Sequence, residues 1–107
     1  MRNSKIDRKY QANGLSVSPY VLSKGETAHV FYNGLLANSG ANKIYARIGF
    51  GREWQNAIEY KMERTADGFI VDVPISVGDT LNLCFKDSAD NWDNNSGQNY
   101  SYNVQIE

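Results

Sequence analysis

The sequence predicts an all-β domain built as an antiparallel β-sandwich. Apolar and polar residues alternate in about seven short segments, turn signals recur roughly every eight to twelve residues, and no stretch keeps a helical period. A small closed barrel is the alternative compatible with the same pattern. With 107 residues, 41% of them hydrophobic and 12% aromatic, the chain can bury one core without disulfides.

Residues 1–13 mix Arg2, Lys5, Arg8 and Lys9 with Asn, Ser and Gln and show no period, so they read as a flexible lead or linker, with the domain over 14–107. Leu15 to Ser18 alternates, Pro19 interrupts, and Tyr20-Val21-Leu22 runs into a Ser23-Lys24-Gly25-Glu26 turn, the pattern of a kinked edge strand. Thr27 to Tyr32 follows as a strand, with Ala28, Val30 and Tyr32 on one face. The loop after Asn33-Gly34 is rich in Gly and Asn, and Leu35 and Leu36 are both expected to tuck onto the core. Lys43 to Phe50 alternates with Ile44, Ala46 and Ile48 inward, which turns Tyr45, Arg47 and Gly49 outward.

A loop holding Trp54 leads to Ile58, Tyr60 and Met62 at period two with charged residues between them, a half-solvated strand. Thr65-Ala66-Asp67-Gly68 has hairpin chemistry, and Phe69, Val71, Val73 and Ile75 form the inward set of the strand behind it, which Pro74 ends or confines to an edge. Thr80 to Lys86 returns with Leu81, Leu83 and Phe85 inward. The polar run from Asp87 to Asn99 carries Trp92, and Tyr100, Tyr102, Val104 and Ile106 define one closing strand.

A formal net charge of -1 supplies no field to attract a polyanion, so nucleic acid is not an expected partner. No apolar run approaches the roughly 18 residues of a membrane span, and the N-terminus lacks the apolar stretch of a secretory signal. Cys84 is the sole cysteine and His29 the sole histidine; the first reads as a packing residue, the second as a surface or packed residue. Ser-His-Asp or Cys-His chemistry would have to be assembled around His29, and neither a Gly-x-Ser-x-Gly nor a His-Glu-x-x-His motif is present, so the domain is expected to be non-catalytic; it is also expected to be a monomer.

Two chemistries remain for the polar run. Asp87, Asp90, Asp93 and the asparagines are hard oxygen ligands suited to a structural calcium, but without the register of a dedicated calcium loop; the alternative is that they cap turns. The second chemistry is a sugar platform. An indole face matches the C–H face of a pyranose while neighbouring amides and carboxylates serve its hydroxyls, and Trp92 among Asp93, Asn94 and Asn95 fits this, as does Trp54 among Arg52, Glu53 and Gln55. The alternative for each tryptophan is a core residue at a strand end.

The stretch Phe85, Asp87, Trp92, Asp93, Asn94, Asn95, Gly97, Asn99 and Tyr100 resembles the Phe-x-Asp-x-x-x-x-Trp-Asp-Asn-Asn-x-Gly-x-Asn-Tyr pattern of starch-binding carbohydrate-binding modules of families twenty-five and fifty-three. The likeness runs back through Gly34-Leu35, the Ile44 to Phe50 strand, Trp54 and Met62. It implies an immunoglobulin-like sandwich that binds α-1,4-glucans (starch, glycogen, maltooligosaccharides) through stacked tryptophans at Trp54 and Trp92, commonly as an appendage of amylases, and an extracellular place if the parent is secreted. Arg47 stands where the family has a histidine contact, so Arg47 and the outward Tyr45 are the expected further contacts, with Asp93, Asn94 and Asn95 as polar contacts or loop braces. An immunoglobulin-like structural or protein-interaction domain that keeps this loop only as a turn is the competing expectation.

Overall fold

The computed structural model describes residues 14–105. The expected lead over residues 1–13 and the inward Ile106 lie outside them. In chain order the elements are β1 (Leu15–Ser18), β2 (Leu22–Ser23), β3 (Thr27–Tyr32), α1 (Leu35–Asn38), β4 (Ile44–Phe50), β5 (Gln55–Lys61), β6 (Glu63–Arg64), β7 (Phe69–Pro74), β8 (Leu81–Asp87), β9 (Trp92–Asp93), β10 (Tyr100–Tyr102) and β11 (Val104–Gln105).

Antiparallel pairing arranges them into one sheet in the order β1-β3-β7-β6 and a second in the order β10-β8-β4-β5, with β9 added on β8. These are the A-B-E-D and G-F-C orders of an immunoglobulin-like sandwich, with β5 as one more strand beside the C position. The first strand breaks at Pro19, and its second piece, β2, pairs in parallel with β11. The single closing strand expected from the alternation of Tyr100 to Ile106 is therefore two pieces. Tyr100–Tyr102 pairs antiparallel with β8, and after Asn103 the chain leaves that sheet to meet β2.

The inward sets predicted from period two form one core: Ala28, Val30 and Tyr32 from β3, Ile44, Ala46 and Ile48 from β4, and Leu81, Leu83 and Phe85 from β8 are all buried. Across the sandwich the Tyr32 ring stacks on Phe85 with centroids 4.2 Å apart and planes 19° from parallel. Burial raises the Tyr32 phenol well above its ordinary range, and its hydrogen bond to Asp93 pushes it the same way. The Thr65–Gly68 loop is a hairpin as expected: Arg64 faces Phe69, and the Thr65 hydroxyl accepts the Asp67 and Gly68 N–H groups. Pro74 ends β7 beyond the reach of the two-residue β6, where its missing N–H costs no ladder bond.

The segment after Asn33-Gly34 departs from expectation. Leu35–Asn38 is a single helical turn, too short to show a helical period in sequence. Gly40, at φ 94°, ends it by donating to Ala37, while Ala41 donates to Leu36, the paired bonds of a Schellman motif. Only Leu36 tucks onto the core; Leu35 projects outward, 58% exposed. β5 is also barer than its alternation predicts, because it is the sheet edge and Ile58 is exposed there, while Met62 beyond its end is buried.

Candidate functional site

Alternation along β4 and β8 builds the outer face of the second sheet. With Ile44, Ala46 and Ile48 turned inward, Tyr45, Arg47 and Gly49 face out, and register sets them against Lys86, Cys84 and Asn82 in turn. Both tryptophans join this face. Trp92 pairs with Lys86 and so shares its side of the sheet, whereas its neighbour Asp93 pairs with Phe85 and points in. Trp92 is 45% exposed.

Trp54 arrives by a different route. Gly51 and Trp54 close a turn (Trp54 N–H to the Gly51 carbonyl, 3.2 Å), and Trp54 holds φ 53°, a left-handed conformation that costs a bulky side chain roughly 1–2 kcal/mol. That turn lays the indole directly on Gly49. A Cβ at Gly49 would come within 2.7 Å of Trp54 Cε3 and 2.9 Å of its Cα and Cβ. Gly49→Ala is therefore expected to lift Trp54 off the sheet, at a stability cost of about 1–3 kcal/mol. Intrinsic tryptophan emission and thermal midpoint measured together test this, and an unchanged spectrum and midpoint would refute it.

From the level of Gly49 to that of Tyr45 and Lys86 is about 13 Å along the strands, and β9 lies about 9.5 Å across from β4. Trp54 and Trp92 thus bracket a diagonal strip floored by Arg47, Cys84, Tyr45 and Lys86. The Arg47 guanidinium has no hydrogen-bond or ion-pair partner among the described residues. Burial pushes the Cys84 thiol up, countered in part by Arg47, as suits a packing residue under the strip.

Lys86 and Glu59 were not among the residues singled out from sequence. The Lys86 ammonium sits 5.6 Å from the Trp92 ring centroid and 5.8 Å from that of Tyr45, and pairs with Glu59 at 3.6 Å and Asp90 at 3.7 Å. It fills the gap between the two rings. Its outward position follows from the alternation that turns Leu83 and Phe85 inward, so the signal was present in the pattern.

The Asp87–Asn99 run is braced from within. Asp87 accepts the Ala89 and Asn91 N–H groups and the Asn91 side-chain amide, and the Asn91 side chain, followed by its backbone N–H, holds the Asp87 carboxyl below its ordinary range. Asn94 Oδ1 accepts the Gly97 N–H at 2.9 Å, and Asn95 Nδ2 donates to the Asn99 carbonyl at 3.1 Å. Asp93, only 5% exposed, accepts from the Tyr32 hydroxyl at 2.5 Å, the Tyr100 hydroxyl at 3.0 Å and the Asn95 N–H at 3.3 Å. This geometry spends the Asp93 carboxylate on internal donors. The oxygens named as calcium ligands thus serve internal donors at Asp87 and Asp93, and no three His, Cys, Asp or Glu side chains among the described residues form a metal-sized group.

On the opposite outer face, register aligns Ser18, His29 and Asp72 across β1, β3 and β7, with His29 Nδ1 2.7 Å from Asp72 Oδ1. Both partners of that pair are largely solvent-exposed.

A β-sandwich that displays two tryptophans on one polar sheet face has the architecture of a carbohydrate-binding module. Residues 28–83 match the model of a starch/carbohydrate-binding module family, family 53. An α-amylase of Clostridium acetobutylicum is 32% identical over 86 residues, which are 78% of this chain and 11% of the amylase. No solved structure matches. The chain belongs to the family 53 starch/carbohydrate-binding modules, and it spans about a tenth of the length of the amylase it matches.

Proposed function

We propose that the domain binds an α-1,4-glucan, as in starch, glycogen or a maltooligosaccharide, along the diagonal strip of the second sheet, and that it does so without catalysis. Trp54 and Trp92 stack against pyranose faces, Tyr45 and Arg47 serve hydroxyls between them, and Asp93, Asn94 and Asn95 hold the loop that presents Trp92. The observation that carries this is that two tryptophans distant in the chain, Trp54 and Trp92, one of them kept in a costly left-handed conformation, lie on one face with an unspent guanidinium between them.

Stacking of two partly covered indoles with solvent-competed hydrogen bonds corresponds to a dissociation constant of roughly 10 μM to 1 mM. Binding of that strength acts as targeting, in keeping with an appendage of an amylase-like enzyme, where avidity multiplies it. The reading assigns no metal, catalytic residue, nucleic acid or membrane to the domain, and takes it as a monomer. The largely solvent-exposed His29–Asp72 pair favours the non-catalytic reading, because water there competes with any charge that would develop in a reaction.

Affinity electrophoresis tests the proposal. The domain is expected to be retarded in a gel containing amylopectin relative to a plain gel and one containing a β-linked glucan. Equal mobility in all three would leave an immunoglobulin-like interaction domain as the better reading.

A further inference from the structure

We propose that the cleft between α1 and the Trp92–Ser96 loop is a second glucan subsite, filled by the part of the chain that continues past Trp92; this rests on Trp92 being a stacking residue. The cleft measures about 670 Å³, within the range of about 300–1,000 Å³ usual for small-molecule sites. Trp92 is common to the strip and the cleft, so a chain lying on the strip reaches the cleft without leaving the indole.

The lining has the chemistry of a neutral polyol site. Leu35 offers an apolar patch across from Trp92, large enough for a C–H face. Asn33 and Asn38 beside it have side-chain amides with no hydrogen bond to any described residue, and each can both donate and accept. The one ionisable side chain in the lining, Asp93, is committed to the two tyrosine hydroxyls. Sugar hydroxyls suit such a surface; a charged ligand does not.

The cleft is also held open by design of the core. The Tyr32 hydroxyl accepts the Leu36 N–H of α1 at 3.1 Å and donates to Asp93 at 2.5 Å, so one buried tyrosine ties both walls together. A preformed cleft loses little ordering entropy on binding. Exposed Leu35 has no core role, since Leu36 supplies the packing of this turn.

Affinity should therefore depend on chain length. Titration of the wild type, the Leu35→Ser/Asn38→Ala double variant and Trp92→Ala with maltotriose and with maltoheptaose reads this directly, with thermal midpoints to confirm folding. The double variant is expected to bind maltotriose within about twofold of wild type and maltoheptaose about fivefold more weakly. Wild-type affinity for both ligands in the folded double variant, or an equal loss for both, would overturn the subsite while leaving the strip intact. A Trp92→Ala protein that binds both ligands as wild type does would instead overturn the stacking role, and the subsite with it.

Discussion

Trp92→Ala is expected to weaken glucan binding by about 30-fold while lowering the thermal midpoint by only a few degrees. The binding loss follows from the area a stacked sugar would cover: one indole face contributes about 2 kcal/mol at 25 cal/mol/Å², and each 1.4 kcal/mol is tenfold in affinity. The stability loss is small because Trp92 is nearly half exposed and its ring contact within the domain is the Lys86 ammonium at 5.6 Å, a cation–π interaction of about 0.5–1 kcal/mol at an exposed site. Isothermal titration with maltoheptaose beside a thermal melt separates the two effects. Retained affinity would refute the stacking role, and a collapse of the melt would mean that the indole is structural.

The opposite profile is expected one residue on. Asp93→Ala should cost about 3–5 kcal/mol of stability, a midpoint shift of roughly 15–25 °C for a domain of this size. Its carboxylate accepts from two buried tyrosine hydroxyls on different strands, Tyr32 of β3 and Tyr100 of β10, and removing it takes this shared acceptor from both in the core. Asp93→Asn, which keeps one carbonyl acceptor, should fall between the variant and wild type. Chemical denaturation measures the loss, and a change below about 1 kcal/mol would show that the tyrosines find other partners. On the proposed reading the adjacent residues Trp92 and Asp93 divide contact from support, because successive side chains of a strand leave on opposite faces.

The same alternation explains why much of the domain was legible from its sequence. Ile44, Ala46 and Ile48, and Leu81, Leu83 and Phe85, alternate with polar residues, and period two alone assigns their faces. The outward set Tyr45, Arg47 and Gly49 follows as the complement. The Thr65–Gly68 hairpin and the interruption at Pro19 are written in local turn chemistry. The one-turn helix was not legible, since four residues complete no amphipathic pattern and tertiary contact through the Leu36 N–H and the Tyr32 hydroxyl fixes its place. Nor was the break at Asn103, where pairing with two different partner strands divides a segment that alternates without interruption.

For the site, local sequence determined which residue types were available: two tryptophans in polar settings, a glycine at the point where one of them must lie flat, and a loop whose Asp, Asn and Gly residues can brace themselves. Only the tertiary structure decided their arrangement. Strand order places Trp54 and Trp92 on one face, register inserts Lys86 between Trp92 and Tyr45, and the inward turn of Asp93 commits it to Tyr32 and Tyr100. The reason is physical: side-chain periodicity is a property of one strand, whereas a binding face is made by the register between strands that are distant in the chain.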